Sequence, residues 1–261
     1  MKRTILLLLC LSFTLLNAKT IEATYKISYG IFGELGMAKT TLEFFDNNTY
    51  KIKVHAFATG VAKVLSSGKE EFYESSGIVA NKKLIPYKFT KYSQNSYKKR
   101  LKSYSFDYSN NKIILEKTTD RLQTTYDSNL KPEKTWKHES SKEETTFFAS
   151  NDLLSLFFNI QQIVPNFEQG CHYDLKAIGA KNGDLKIFVP KGEEFNRLSS
   201  ALQTDNTKFI ASINQKIFSS KNGELYISLN KEGFCNKAVL KDVLIFGDIV
   251  GEMINFEIKE S

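Results

Sequence analysis

Apolar and polar side chains alternate through most of the chain after residue 20. Ile21, Ala23, Tyr25, Ile27 and Tyr29 interleave with Glu22, Thr24, Lys26 and Ser28. A period of two places the two sets on opposite faces of a strand. Tyr50, Ile52, Val54, Ala56 and Ala58 repeat the pattern after the turn signal Asp46-Asn47-Asn48. Similar runs are predicted at 38–45, 69–80, 84–92, 97–108 and 113–119, with polar turns at Asn81-Lys82-Lys83 and Ser109 to Lys112. Short strands at regular spacing predict an antiparallel meander rather than parallel βαβ units. Strands resume at 173–178, 185–189, 225–229, 238–246 and 251–258. Asn182-Gly183 is a type I′ turn signal, because both central residues of such a turn take positive φ. Residues 193–205 suggest a short helix or turn.

Two stretches depart from this pattern. From 120 to 145 the chain is strongly charged, with Lys131-Pro132-Glu133-Lys134 and Glu139 to Glu144. It is expected to be a long connection holding at most one short strand. From 150 to 164 the period changes to that of a helix. Leu153, Leu154, Leu156, Phe157, Phe158, Ile160, Ile163 and Val164 make it apolar around most of its circumference, and Pro165 ends it. Ser150 or Asn151 is the expected cap, with Asp152 favouring the positive N-terminal end. The fold class that follows is mainly β: a curved antiparallel sheet, barrel or half-barrel, with one principal α-helix packed against it.

Residues 1–18 read as a signal peptide. Met1-Lys2-Arg3 is a basic start, Ile5 to Leu16 an apolar stretch, and Leu16-Asn17-Ala18 a cleavage site. The apolar stretch is too short to span a bilayer, and no transmembrane span is expected after cleavage. Cys10 follows a bulky Leu9, which argues against lipidation. The expectation is a periplasmic protein with one β-rich domain over 19–261. Cleavage takes two positive charges off the net +7 of the 261-residue chain. Arg occurs only at 3, 100, 121 and 197, so nearly all of the cationic side chains are Lys. Phosphate and base recognition favours Arg, so a solvated lysine surface is expected and nucleic acid is not a predicted partner.

Candidate chemistry is sparse. Cys171 and Cys235 are the two cysteines left after cleavage, and an oxidising compartment favours a disulfide between them. Closing about 64 residues would contribute roughly 4 kcal/mol. The alternative is two separate buried thiols. His55, His138 and His172 are far apart and lack metal-ligand spacing, so no metal site is predicted. Gly30-x-x-Gly33-x-x-Gly36 lacks the Lys-Ser/Thr and helix of a phosphate loop and reads as a turn between edge strands. Ser155 has no nucleophile elbow around it. Glu70-Glu71 and Glu143-Glu144 are expected to be solvated. No catalytic or cofactor-binding residue and no cofactor are assigned.

From about Tyr25 to Ile258 the chain resembles the exported bacterial proteins of domain-of-unknown-function family 3108. The resemblance is carried by Tyr25-x-Ile27-x-Tyr29-Gly30-Ile31-x-Gly33, Lys39 to Phe45, Thr59-Gly60, Ser76-Gly77-x-Val79, Pro86-x-x-Phe89 and Ser105-Phe106-Asp107. The helix opening Asn151-Asp152-Leu153-Leu154-Ser155 resembles the family's Asp-x-x-Ser helix, and Leu225 to Leu229 with Val239 to Gly251 its closing strands. Asn236-Lys237-Ala238 stands where other members carry a Pro. The resemblance implies an exported β-rich protein with a helix on a curved sheet, and no activity. Three functions are weighed. The first is non-enzymatic binding of a lipid-like or apolar ligand, with Leu154, Phe157 and Phe158 as candidate lining. The others are a protein-interaction or assembly factor of the outer envelope, and a carboxylate-dependent envelope hydrolase.

Overall fold

A computed structural model describes residues 19–126, 131–213, 223–241, 243 and 247–260. The expected signal peptide and Cys10 lie outside the described residues. The described chain forms one antiparallel sheet of fourteen strands, which is not closed into a barrel. In chain order these are β1 (Lys19–Tyr29), β2 (Gly33–Phe44), β3 (Thr49–Ala58), β4 (Glu70–Ala80), β5 (Lys83–Asn95), β6 (Lys98–Asp107), β7 (Lys112–Tyr126) and β8 (Pro132–Glu144). They are followed by β9 (His172–Lys176), β10 (Asp184–Phe188), β11 (Thr207–Ile213), β12 (Glu224–Leu229), β13 (Cys235–Leu240) and β14 (Ile249–Glu260). Three α-helices accompany them: α1 (Gly60–Leu65), α2 (Leu153–Ile163) and α3 (Gly192–Leu202).

The spatial order is two meanders placed edge to edge. One runs β8 to β1, the other β14 to β9, and β1 pairs with β14 from Lys19↔Glu260 to Tyr29↔Ile249. The glycine-rich turn after β1 therefore joins two central strands, not edge strands, which corrects the reading above. Gly36 makes the tight β2–β3 approach workable, since a Cβ there would run into the Phe57 carbonyl. Gly77 does the same beside the Ile85 carbonyl, where a bulge lets β5 accept Pro86 in its interior.

The sheet must roll, and the core shows why. Helix α2 contributes Leu156 and Ile160 to a cluster with Leu185, Ile187, Phe209 and Ile227 of β10–β12. Its Leu154 and Phe158 pack against Ile21, Leu42 and Ile52 of β1–β3. Leu154 also reaches the cluster of Phe89, Tyr104, Ile113 and Leu115 on β5–β7. Laid flat, β7 and β10 would be roughly 50 Å apart at about 4.8 Å per strand, whereas eleven helical residues extend only about 16 Å. One short helix reaches both because the sheet curls around it. The outer face of the C-terminal meander is covered separately, by Leu198 and Leu202 of α3 against Ile210, Tyr226 and Val239. Lysines line the wet face of β3, where Lys51 meets Glu74 at 3.7 Å and Lys53 meets Glu43 at 3.1 Å.

Two expectations need correction. The described residues of 120–145 are not an irregular connection: β7 continues to Tyr126 and pairs with β8 from Ile114↔Glu144 to Tyr126↔Pro132. Every residue of β8 is exposed, so neither face needs apolar residues and no alternation marks the strand. Charged side chains along an exposed edge also oppose pairing with other chains. The disulfide is likewise absent. Cys171 and Cys235 are both free. Cys171 precedes β9 and Cys235 opens β13, with three strands between, far beyond the Cα separation of about 7 Å that a bridge tolerates. The Cys171 thiol donates to Asn166 Oδ1 at 2.9 Å. Burial pushes the Cys235 thiol up to about 12. In the folded chain of residues 19–261, a maleimide should therefore label Cys171 and spare Cys235, and denaturant should expose both. Mass spectrometry of non-reduced protein reads this directly, and two unlabelled cysteines in denaturant would show a bridge.

Candidate functional site

Helix α2 enters the concavity through a buried polar knot. Asp152 is the N-cap itself, not Ser150 or Asn151. Its Oδ1 accepts from the Leu154 and Ser155 backbone N–H groups at 2.8 and 3.0 Å, and the Asp152 N–H donates to Ser155 Oγ at 3.0 Å. This is a capping box, and it is why Asp-x-x-Ser opens the helix. The other carboxylate oxygen, Oδ2, accepts from Ser75 Oγ of β4 at 2.6 Å. A carboxylate only accepts, so the Ser75 hydrogen goes to Asp152 and Tyr50 of β3, at 3.1 Å, donates to Ser75. Asp152, Ser75 and Ser155 are fully buried.

One turn further along α2, Asn159 replaces a missing strand. Pairing of β6 with β5 begins at Lys88↔Ser105, which leaves the backbone of Leu84 without a strand neighbour on that side. Asn159 Oδ1 accepts from the Leu84 N–H and its Nδ2 donates to the Leu84 carbonyl, both at 2.8 Å. The same Nδ2 reaches Asn151 Oδ1 at 2.8 Å. Residue 151 closes the other side of the seam. Its carbonyl accepts from the Ile178 N–H at 2.9 Å, and the Ile178 carbonyl accepts from Leu153 at 3.0 Å. Ile178 belongs to the β9–β10 loop, whose Asn182 and Gly183 both take positive φ as the sequence predicts. The helix entry thus stitches β5 to the loop after β9 where the sheet fails to close.

The candidate lining residues are distributed through this packing. Leu154 sits between two core clusters, Phe157 packs against the β10–β12 cluster, and Phe158 lies edge-on to Phe234 with ring centroids 4.9 Å apart. They fill the concavity at the end where α2 lies. Open space lies elsewhere among the described residues. A cleft of about 950 Å³ lies on the seam, lined by the start of β5, residues 148–151, α2 and β9, with Tyr87, Tyr108, Lys83, Asp174 and Lys176 at its wall. A second cleft, of about 470 Å³, occupies the end of the concave face that α2 leaves uncovered. Ile27, Leu225, Leu240 and Ile249 give it apolar walls, and Gly36, Ala56, Ala58, Ala238 and Gly251 provide the room by being small.

The polar end of this second cleft holds Ser66, Lys69 and Glu71. Glu71 is half-buried rather than solvated. Burial acts to raise it, but the Tyr73 hydroxyl at 2.6 Å and the Lys69 ammonium at 3.0 Å prevail and hold it below the usual carboxylate range. Each cleft is lined by a single carboxylate, Glu71 in one and Asp174 in the other. Among the described residues no cluster of His, Cys, Asp and Glu suits a metal ion, and no helix is long and apolar enough to cross a membrane. The helical rim of the cleft, α1, was missed from sequence. Val61, Val64 and Leu65 have helical spacing between Gly60 and Gly68, but six residues are too few for periodicity to stand out.

The family model described as protein of unknown function, DUF3108, matches residues 24–175, more than half of the chain. The chain is a DUF3108 protein. The match runs from within β1 into β9 and takes in Ser75, the capping box and Asn159, while Ile178 and the β10–β12 side of the α2 seat lie beyond it. The likeness in the closing strands lies beyond it. No curated protein and no solved structure matches the chain.

The knot makes stability depend on pH. Burial raises the Asp152 carboxyl from 3.8 to about 6, despite the hydrogen bonds from Ser75, Ser155 and Leu154 that oppose it. The folded state then holds a proton that the unfolded chain releases at lower pH. This contribution is complete below pH 4 and is lost as pH rises through 6, about 3 kcal/mol in all. Asp152→Asn keeps a cap acceptor and cannot titrate. Urea unfolding at several pH values should show the decline between pH 4 and 6 in the parent chain and its absence in the variant.

Proposed function

We propose that this DUF3108 chain is a non-enzymatic periplasmic protein that holds a lipid-like ligand in the uncovered end of its curled sheet. The observation that carries the reading is the apolar cleft of about 470 Å³ between Ile27, Leu225, Leu240 and Ile249. Its size falls within the range of small-molecule sites, and apolar walls with a few polar groups at one end suit an amphipathic molecule. An acyl tail would lie along Gly36, Ala56 and Ala238, with its headgroup against Ser66 and the Lys69–Glu71 pair. The export pattern of residues 1–18 supports the location. Leu154, Phe157 and Phe158 then serve as the packed floor of the concavity, and the ligand lies beyond them. A carboxylate hydrolase gains nothing from this geometry, since neither cleft pairs two acids. An interaction factor would use the charged β8 edge, whose side chains discourage strand addition.

The test is binding of a fluorescent fatty acid to residues 19–261, with Ala56→Trp and Ala238→Phe as variants that fill the cleft. Each should weaken binding roughly tenfold or more while circular dichroism stays that of the parent. Equal binding by both variants, or a parent that binds no probe and carries no mass beyond its chain when purified from the envelope, would overturn the reading.

A further inference from the structure

The rim of the cleft is also the most apolar exposed point of the described chain. Val61, Val64 and Leu65 on α1 are 74%, 78% and 81% exposed. Their i, i+3, i+4 spacing sets them on one side of the helix, while Ala62 and Ser66 line the cleft on another. The tip is held in place. Positive-φ Gly60 and Gly68 bracket it, Thr59 donates its N–H to the Leu35 carbonyl at 2.9 Å, and the Thr59 hydroxyl donates to Glu34 at 2.9 Å. Between Thr59 and Lys69 there is no carboxylate, and Lys63 stands among the aliphatic residues. Lys69 is already engaged with Glu71.

We propose that α1 is a docking tip for the surface of an anionic bilayer, and that ligand passes between the bilayer and the cleft across it. The proposal rests on the reading of the cleft as a lipid site. A bilayer is favoured over a protein partner on size. Six helical residues rise about 9 Å, far too little to supply the roughly 800 Å² per partner of a stable protein interface. Three aliphatic side chains are enough to enter the headgroup boundary, with a lysine reaching back to the phosphates. An apolar tail crossing at this point moves from acyl chains to cleft wall past α1 without full exposure to water.

The experiment uses residues 19–261 with vesicles of mixed phosphatidylglycerol and phosphatidylethanolamine. Val61→Ser, Val64→Ser and Leu65→Ser are combined in one variant, at positions already exposed. Two quantities are read with one fluorescent fatty acid: its equilibrium binding from water, and its rate of transfer from vesicles to protein. The variant should match the parent in the first and fall roughly tenfold in the second, with loss of co-sedimentation with vesicles. Transfer by the variant at the parental rate, or a parent that binds the probe in water but fails to sediment with vesicles, overturns the docking proposal. A parent that sediments with vesicles but binds no probe in water overturns the cleft reading instead.

Discussion

An antiparallel sheet with one wet face must find apolar matter for the other. In this chain the matter is scarce. A single helix of eleven residues serves strands from both meanders, and the sheet curls until β1–β3, β5–β7 and β10–β12 all touch it. Curvature, the unclosed seam and the uncovered end of the concave face follow from that one mismatch between a wide sheet and a short plug. Where the helix stops, small residues keep the wall back and a cleft remains.

Seating the plug demands polar groups in a dry place. Asp152, Ser75, Ser155 and Asn159 are all buried, and each has its partners. Leaving any one of them unsatisfied would cost about 1–3 kcal/mol. Hydrophobic contacts alone would let an apolar cylinder rotate or slide within a smooth hollow. The bonds from Asp152 to Ser75 and from Asn159 to Leu84 fix both its rotation and its depth, which gives the DUF3108 match its structural content in this chain.

Much of this was legible beforehand. Period two located β1 to β6 and the start of β7 because these strands have one wet and one dry face, and the apolar girth of 153–164 announced a buried helix. The Asp-x-x-Ser opening was visible as a resemblance, but its meaning needed Ser75, seventy-seven residues away in sequence from Asp152. β8 was invisible because both of its faces are wet. The cysteine pair misled for a different reason: parity of number says nothing about three intervening strands. The cleft could not be read from the sequence, since its signal is the meeting of Gly36, Ala56, Ala238 and Gly251, small residues on four strands with no local signature.

The β1–β14 joint has a consequence in time. Lys19 lies opposite Glu260, so the central seam of the sheet joins the two most distant described strands. Pairings of such long separation form slowly, because loop closure must precede any reward. The meander β1–β8 can assemble from neighbours alone, yet until β14 has arrived its first strand presents a bare row of amides. A folding chain therefore carries an unpaired flank at β1 until its last described strand is in place.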